Sequence, residues 1–134
     1  MVRVLTAILG VFAATATSHA APTRERPAYA LTRDCADGFL FSCVELGLRH
    51  RYGRSAARDQ SLAFDYFKKA CDGGLVFACG YAGDMLSDGV GVAKDRAEGE
   101  RLMRAACEAG DGRSCSSLRR RAMRIELREP ALRD

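Results

Sequence analysis

The chain has no Cys-x-x-Cys spacing and no haem-attachment motif, which removes zinc ribbons and thioredoxin-type redox chemistry from consideration. It has two histidines, His19 and His50, too few for a zinc site built from several imidazoles. The glycine-x-glycine at Gly89 and Gly91 lacks the further glycines and the preceding strand of a phosphate-binding loop, and a repeat turn accounts for it. The formal net charge is only +4, too mild to indicate nucleic acid as a partner. No metal and no cofactor are expected.

A long apolar run is also missing. Met1-Val2-Arg3 starts the chain with one charge, and Val4 to Thr17 is uncharged but shorter than the roughly 20 apolar residues that span a bilayer. Ser18 and Ala20 then provide small residues where a signal peptidase reads. Residues 1–20 are therefore expected to be a cleaved secretory signal, with no stable membrane anchor left behind, and 21–33 to be a linker. With Arg3 gone the remainder keeps 20 Lys+Arg against 17 Asp+Glu. Its positive charge is concentrated late: residues 113–134 carry seven arginines against three acids.

Cysteine is abundant. Six cysteines behind a signal segment imply a disulfide framework in an oxidising compartment, periplasmic or extracellular. They stand at 35, 43, 71, 79, 107 and 115, with gaps of 8, 28, 8, 28 and 8. A pair therefore recurs every 36 residues, a period that signals stacked repeats. Phe41 and Phe77, Gly47 and Gly83, Gly53 and Gly89, Asp59 and Asp95, and Ala70 and Ala106 keep the same phase. The expected architecture is all-α: about two and a half helical hairpins occupying 34–128, as repeats 35–70 and 71–106 and a partial capping repeat 107–128, followed by a tail, 129–134.

In each unit the first helix is predicted from about Phe39 to Tyr52 and from Leu75 to Asp88. Cys43, Leu46, Gly47 and His50 share one face of it. Gly53 and Gly89 should stop these helices, and Asp59 and Asp95 should cap the next, with Glu98 completing a capping box. The second helix is predicted over Gln60–Cys71 and Arg96–Ala109. Ala63 or Gly99 allows close approach of backbones, and Gly73 and Gly110 serve as C-terminal glycines. In the last unit Leu118, Ala122 and Ile125 form the inner stripe. On one continuous helix, cysteines eight apart would be separated by roughly 12 Å, too far for a disulfide. Asp37-Gly38, Asp72-Gly73-Gly74 and Gly110-Asp111-Gly112 supply turns instead. Cys35–Cys43, Cys71–Cys79 and Cys107–Cys115 are thus expected, the central bridge mattering more than the first, which can fray with the N-terminus.

Leu46-Gly47, Gly53, Asp59 and Ala70-Cys71, with Gly83, Gly89-Val90-Gly91-Val92, Asp95 and Ala105-Ala106-Cys107, resemble the Sel1-like repeat. The cysteine pairs make the chain similar to the cysteine-rich branch typified by the Helicobacter cysteine-rich proteins. The likeness spans residues 34–118. It implies an α/α solenoid related to tetratricopeptide arrays, and a scaffold that binds an unidentified protein or peptide. Members of that branch described as penicillin-binding or weak β-lactamases make a cell-wall or lactam-type ligand the alternative. Here His50 and Leu86 stand where the repeat has an aromatic, and Ser55 replaces a loop glycine. No serine has a lysine three places on, as the serine lactamases require. His50, with Glu45 or Asp84 as an orienting group, could serve as a base, but is better explained as filling the apolar helix face. A binding scaffold is favoured over an enzyme.

Steps of 36 give three candidate partner-binding rows on the first helices: Glu45, Tyr81 and Ser117; Leu48, Asp84 and Arg120; Arg49, Met85 and Arg121. Glu45, Arg49, Tyr81, Asp84, Met85 and Arg120 are the chief candidates, since aromatics, Met and Arg are enriched in recognition patches. Arg119-Arg120-Arg121 reads as the solvated face of a capping helix.

Overall fold

Gly53 and Gly89 sit in the left-handed region, at φ 68° and 71°, a conformation that costs glycine nothing. They stop two 13-residue helices, α2 (Leu40–Tyr52) and α4 (Val76–Asp88), where the sequence predicts. Asp59 accepts from the Leu62 backbone N–H at 2.9 Å and Asp95 from that of Glu98 at 3.0 Å. These caps open α3 (Gln60–Asp72) and α5 (Arg96–Glu108), and each is worth about 1 kcal/mol. Only half of the expected capping box forms, because the Glu98 carboxylate turns outward to Arg101. A computed structural model describes residues 25–128. It adds α1 (Ala28–Ala36) and α6 (Gly112–Glu126), and there is no strand among the described residues. The expected signal segment lies outside them. No described helix is long and apolar enough to cross a membrane.

Helix α1 corrects the linker expectation. It stands in the place of a second helix, one period before α3 and α5. Leu31 occupies the place of Phe67 and Met103, and all three are fully buried. The helices pack in sequence, α1 on α2, α2 on α3, and so on to α6, and α4 also touches α6. First helices thus align side by side, and second helices back them.

The three predicted disulfides are present, with Cα atoms 4.8, 4.6 and 4.8 Å apart. Each ties the second helix of one unit to the first helix of the next, across a turn whose left-handed residue is Gly38, Gly74 or Gly110. The left-handed glycine in the central turn is therefore Gly74 rather than the expected Gly73. Gly73 has a φ of −72°, and its role is room: a Cβ there would stand 2.5 Å from Leu40 Cδ2.

The core is built on Phe67, whose ring lies against Gly47 and stacks on Tyr81 at 4.7 Å. Burying such a ring stabilises the fold by roughly 1.5–3 kcal/mol. One unit further on Met103 takes its place, and Gly99 stands where Ala63 does. A Cβ on Gly83 would meet the Gly99 carbonyl oxygen at 2.5 Å, so α4 and α5 cross nearly backbone to backbone. The stripe expected to face inward on α6 is not covered: Leu118 is half-buried, and Ala122 and Ile125 are exposed. No described helix packs on that side of α6.

Candidate partner-binding groove

On α2 the residues 41, 45, 48 and 52 lie at i, i+4, i+7 and i+11, one helical face turned away from α3. The 36-residue step carries that face to Phe77, Tyr81, Asp84 and Asp88 on α4, and to Arg113, Ser117, Arg120 and Arg124 on α6. The three helices place these positions along a shallow groove. Its middle, about 230 Å³, is lined by Arg51, Tyr52, Tyr81, Asp84, Arg113 and Arg120, among others.

Aromatic and arginine side chains make up one end. Phe41 and Phe77 meet at 5.8 Å between ring centroids, and Phe41 remains 70% exposed. The Arg113 guanidinium carbon stands 3.3 Å from the centre of the Tyr81 ring, whose other face carries Phe67. Arg113 also donates to the Phe77 carbonyl and pairs with Asp111. Tyr81 is thus clamped flat, with its edge toward the groove.

Asp84 anchors the middle. Its carboxylate accepts from Arg51 of α2 at 3.0 Å, and from Ser117 and Arg121 of α6 at 3.1 and 2.9 Å. One side chain of α4 therefore ties three first helices together. Burial pushes the Asp84 carboxyl up, but the Arg51 and Arg121 guanidinium groups and the Ser117 hydroxyl outweigh it and hold its pKa below the ordinary value. Asp88, helped by Asp84, pushes Arg121 up. Among the described residues Arg120 and Arg124 have no carboxylate partner, and Arg51 Nη1 and Arg121 Nε are buried without an acceptor. Donors outnumber acceptors along this groove.

Of the expected rows, Tyr81, Asp84, Ser117 and Arg120 come together here. Glu45 and Leu48 are half-buried on the same face, Glu45 paired to Arg49. The third row is corrected. Met85 is 1% exposed and belongs to the core, and Arg49 is 7% exposed. The reason is that α2 and α4 each lie between two second helices, so their buried stripe is wider than one packing contact requires. Phe41, Phe77, Arg113, Arg51 and Tyr52 were missing from the rows. Continuing the same face to i−4 and i+4 would have found Phe41, Phe77, Arg113 and Tyr52.

His50 is engaged in the turn that follows α2. Its Nδ1 lies 3.0 Å from the Ala57 carbonyl oxygen and its ring stacks on Tyr66, so it pins the α2–α3 turn. Asp84, one of its two candidate orienting groups, is committed to arginines instead.

All six cysteines are bonded, which places the chain in an oxidising, extracytoplasmic setting. Among curated proteins none matches the chain significantly. Among solved structures it is similar to a Sel1 repeat protein from Oxalobacter formigenes (26% identity, TM-score 0.63), with 66% of this chain and 67% of that one covered. Cysteine rich protein B of Helicobacter pylori is matched over the same shares at 25% identity and a TM-score of 0.61. A protective antigen of uropathogenic Escherichia coli with an SLR fold shares the fold, at 21% identity and a TM-score of 0.62. This chain covers 65% of its own length there but only 19% of that antigen. The Sel1 repeat model matches residues 40–75 and 76–111, so each matched unit runs from one first helix through its second helix to the disulfide-closed turn. On that match, over more than half of its length, the chain belongs to the Sel1 repeat family.

Proposed function

We propose that this protein is a periplasmic or secreted scaffold that binds a protein or peptide partner along the groove of α2, α4 and α6. The observation that carries this is the aromatic and arginine surface running from exposed Phe41 through half-buried Tyr81 and Arg113 to exposed Arg120. Tyr and Arg are the side chains that most often dominate binding energy, and Tyr81 and Arg113 are already held in place, so little of their ordering entropy is lost on binding. The excess of donors favours a segment rich in carboxylates and backbone carbonyls. The leader-like residues 1–20 support export, and N-terminal sequencing of the exported chain should begin at Ala21.

A photo-crosslinking residue at Phe41 or Arg120, placed in the oxidised protein in its own compartment, tests the surface. Discrete adducts are expected from both positions, and none from Lys69 or Arg101 on the second helices. Equal adducts from all four positions would remove the groove as the binding surface.

A further inference from the structure

The uncovered flank of α6 is a second surface, at the end of the array and separate from the row that lines the groove. In the complete units the corresponding flank is sealed by the second helix. Leu46 and Ala82 are buried, Gly47 lies against Phe67, and Gly83 lies against Gly99 and Met103. On α6 the equivalent residues are Leu118, Arg119, Ala122 and Ile125. Together with Glu100 and Arg104 of α5 they border an open apolar depression of about 330 Å³.

The sequence past this point does not encode a covering helix in the usual place. Ile125 stands where Gly53 and Gly89 reverse the chain, and α6 runs on through it to Glu126. Ala131 stands where Asp59 and Asp95 cap the second helix, one residue after Pro130. The turn and the cap that start α3 and α5 are both missing.

One substitution indicates what fits instead. Gly47 leaves room for the Phe67 ring of its second helix, and Gly83 lets the backbone of α5 approach at Gly99. On α6 that position is Arg119, exposed and without a carboxylate partner among the described residues. The other charged groups on the rim are already paired: Arg121 with Asp84 and Asp88, and Glu100 with Arg96 and, at 4.0 Å, Arg104, which leaves Arg119 as the cation that faces the depression. We infer that this flank receives an acidic amphipathic α-helix of a separate protein, which completes the third repeat in trans. The incoming helix carries a carboxylate where Ala63 and Gly99 stand, paired with Arg119. Its apolar residues follow at the spacing of Leu102, Met103 and Ala106. Charge complementarity selects this occupant: a basic or neutral helix with the same apolar stripe would leave Arg119 facing it unpaired.

Two labelled helical peptides of about 18 residues, long enough to hold a helix in water, are the probes. Both carry the apolar spacing of α5; one has Glu at the Gly99 position and on its flanks, the other Lys. Fluorescence anisotropy with the oxidised full chain should show binding of the Glu peptide, weakening with salt, and binding of the Lys peptide about tenfold weaker or less. Ile125→Glu should abolish binding, and Arg119→Glu should reverse the preference toward the Lys peptide. Both positions are exposed, and unchanged melting curves confirm that the fold is kept. Equal binding of both peptides, or of neither, overturns the inference. So does pelleting with phosphatidylglycerol vesicles, or a dimer seen by sedimentation, that Ile125→Glu removes while neither peptide binds. The first result would assign the flank to a membrane, the second to another copy of the chain.

Discussion

Replacing Gly83 by alanine puts one methyl group into the close crossing of α4 and α5. The added Cβ would stand 2.5 Å from the Gly99 carbonyl oxygen and 3.1 Å from both Leu102 Cβ and Met103 Cγ. The oxygen belongs to the backbone of α5 and cannot swing aside. Relief requires α4 and α5 to part by about 0.9 Å, and a gap of that size forfeits roughly a quarter to a half of each contact's dispersion energy. Overpacking of this kind costs about 1–3 kcal/mol, and with backbone as the obstacle the upper end applies. Alanine recovers about 1 kcal/mol through its higher helix propensity. The net loss is about 2 kcal/mol, or roughly 10 °C of melting temperature in a domain of this size. Thermal and urea unfolding of the oxidised protein, followed by far-ultraviolet circular dichroism, measure it. Gly112→Ala is the control: a Cβ there meets nothing within 4 Å, and the melting temperature should hold or rise slightly. If Gly83→Ala melts at or above the parent, the close crossing of α4 and α5 is wrong.

Asp84→Asn should cost about 1–2 kcal/mol at neutral pH, since it weakens charge-assisted bonds to two arginines. The folded carboxyl has a lowered pKa, so its contribution is complete above the ordinary value of 3.8 and drains away as the pH falls below it. Parent and variant unfolding free energies should therefore converge below pH 3.8, and a gap that persists undiminished into acid would count against the clamp. Paired Cys→Ala changes remove the same chain-entropy term from each bridge, about 2.5 kcal/mol for nine-residue loops. Burial then sets the order. Loss of Cys35–Cys43, at 1% and 0% exposure, should lower the urea midpoint most, and loss of the half-buried Cys107–Cys115 pair least. This reverses the expectation from fraying, because Leu31 seats α1 in the core; an N-terminal bridge that proves the least costly would restore it.

The helix boundaries were legible because the punctuation is local. Gly53, Gly89, Asp59 and Asp95 act through their own φ values and side-chain caps, and no tertiary knowledge is needed to place them. Helix α1 was not, since its nine residues carry two buried side chains and no capping side chain, too little for a periodic signal. Leu31 does stand one period before Phe67, and that equivalence was the available clue. The groove was half legible. The repeat period aligned the right faces, but it could not tell which flank a second neighbour covers. Met85 and Arg49 were placed outside on that account. The three-helix clamp on Asp84 was beyond reach, because Arg51 and Arg121 lie 33 and 37 residues from it in sequence and belong to different units.

The turns enclosed by the disulfides are exposed: residues 36–39, 72–74 and 108–110 are all at the surface. Exposed turns with glycine at their tips are where proteases cut folded chains. These three turns, unlike those at Gly53 and Gly89, lie inside rings closed by sulfur–sulfur bonds. A cut within the ring opens a peptide bond without releasing either fragment, and the helices on both sides stay joined at the same cysteines. Outside the cell, where proteases are common and no ribosome can replace the chain, a molecule nicked in one of these three turns remains one molecule with its groove assembled.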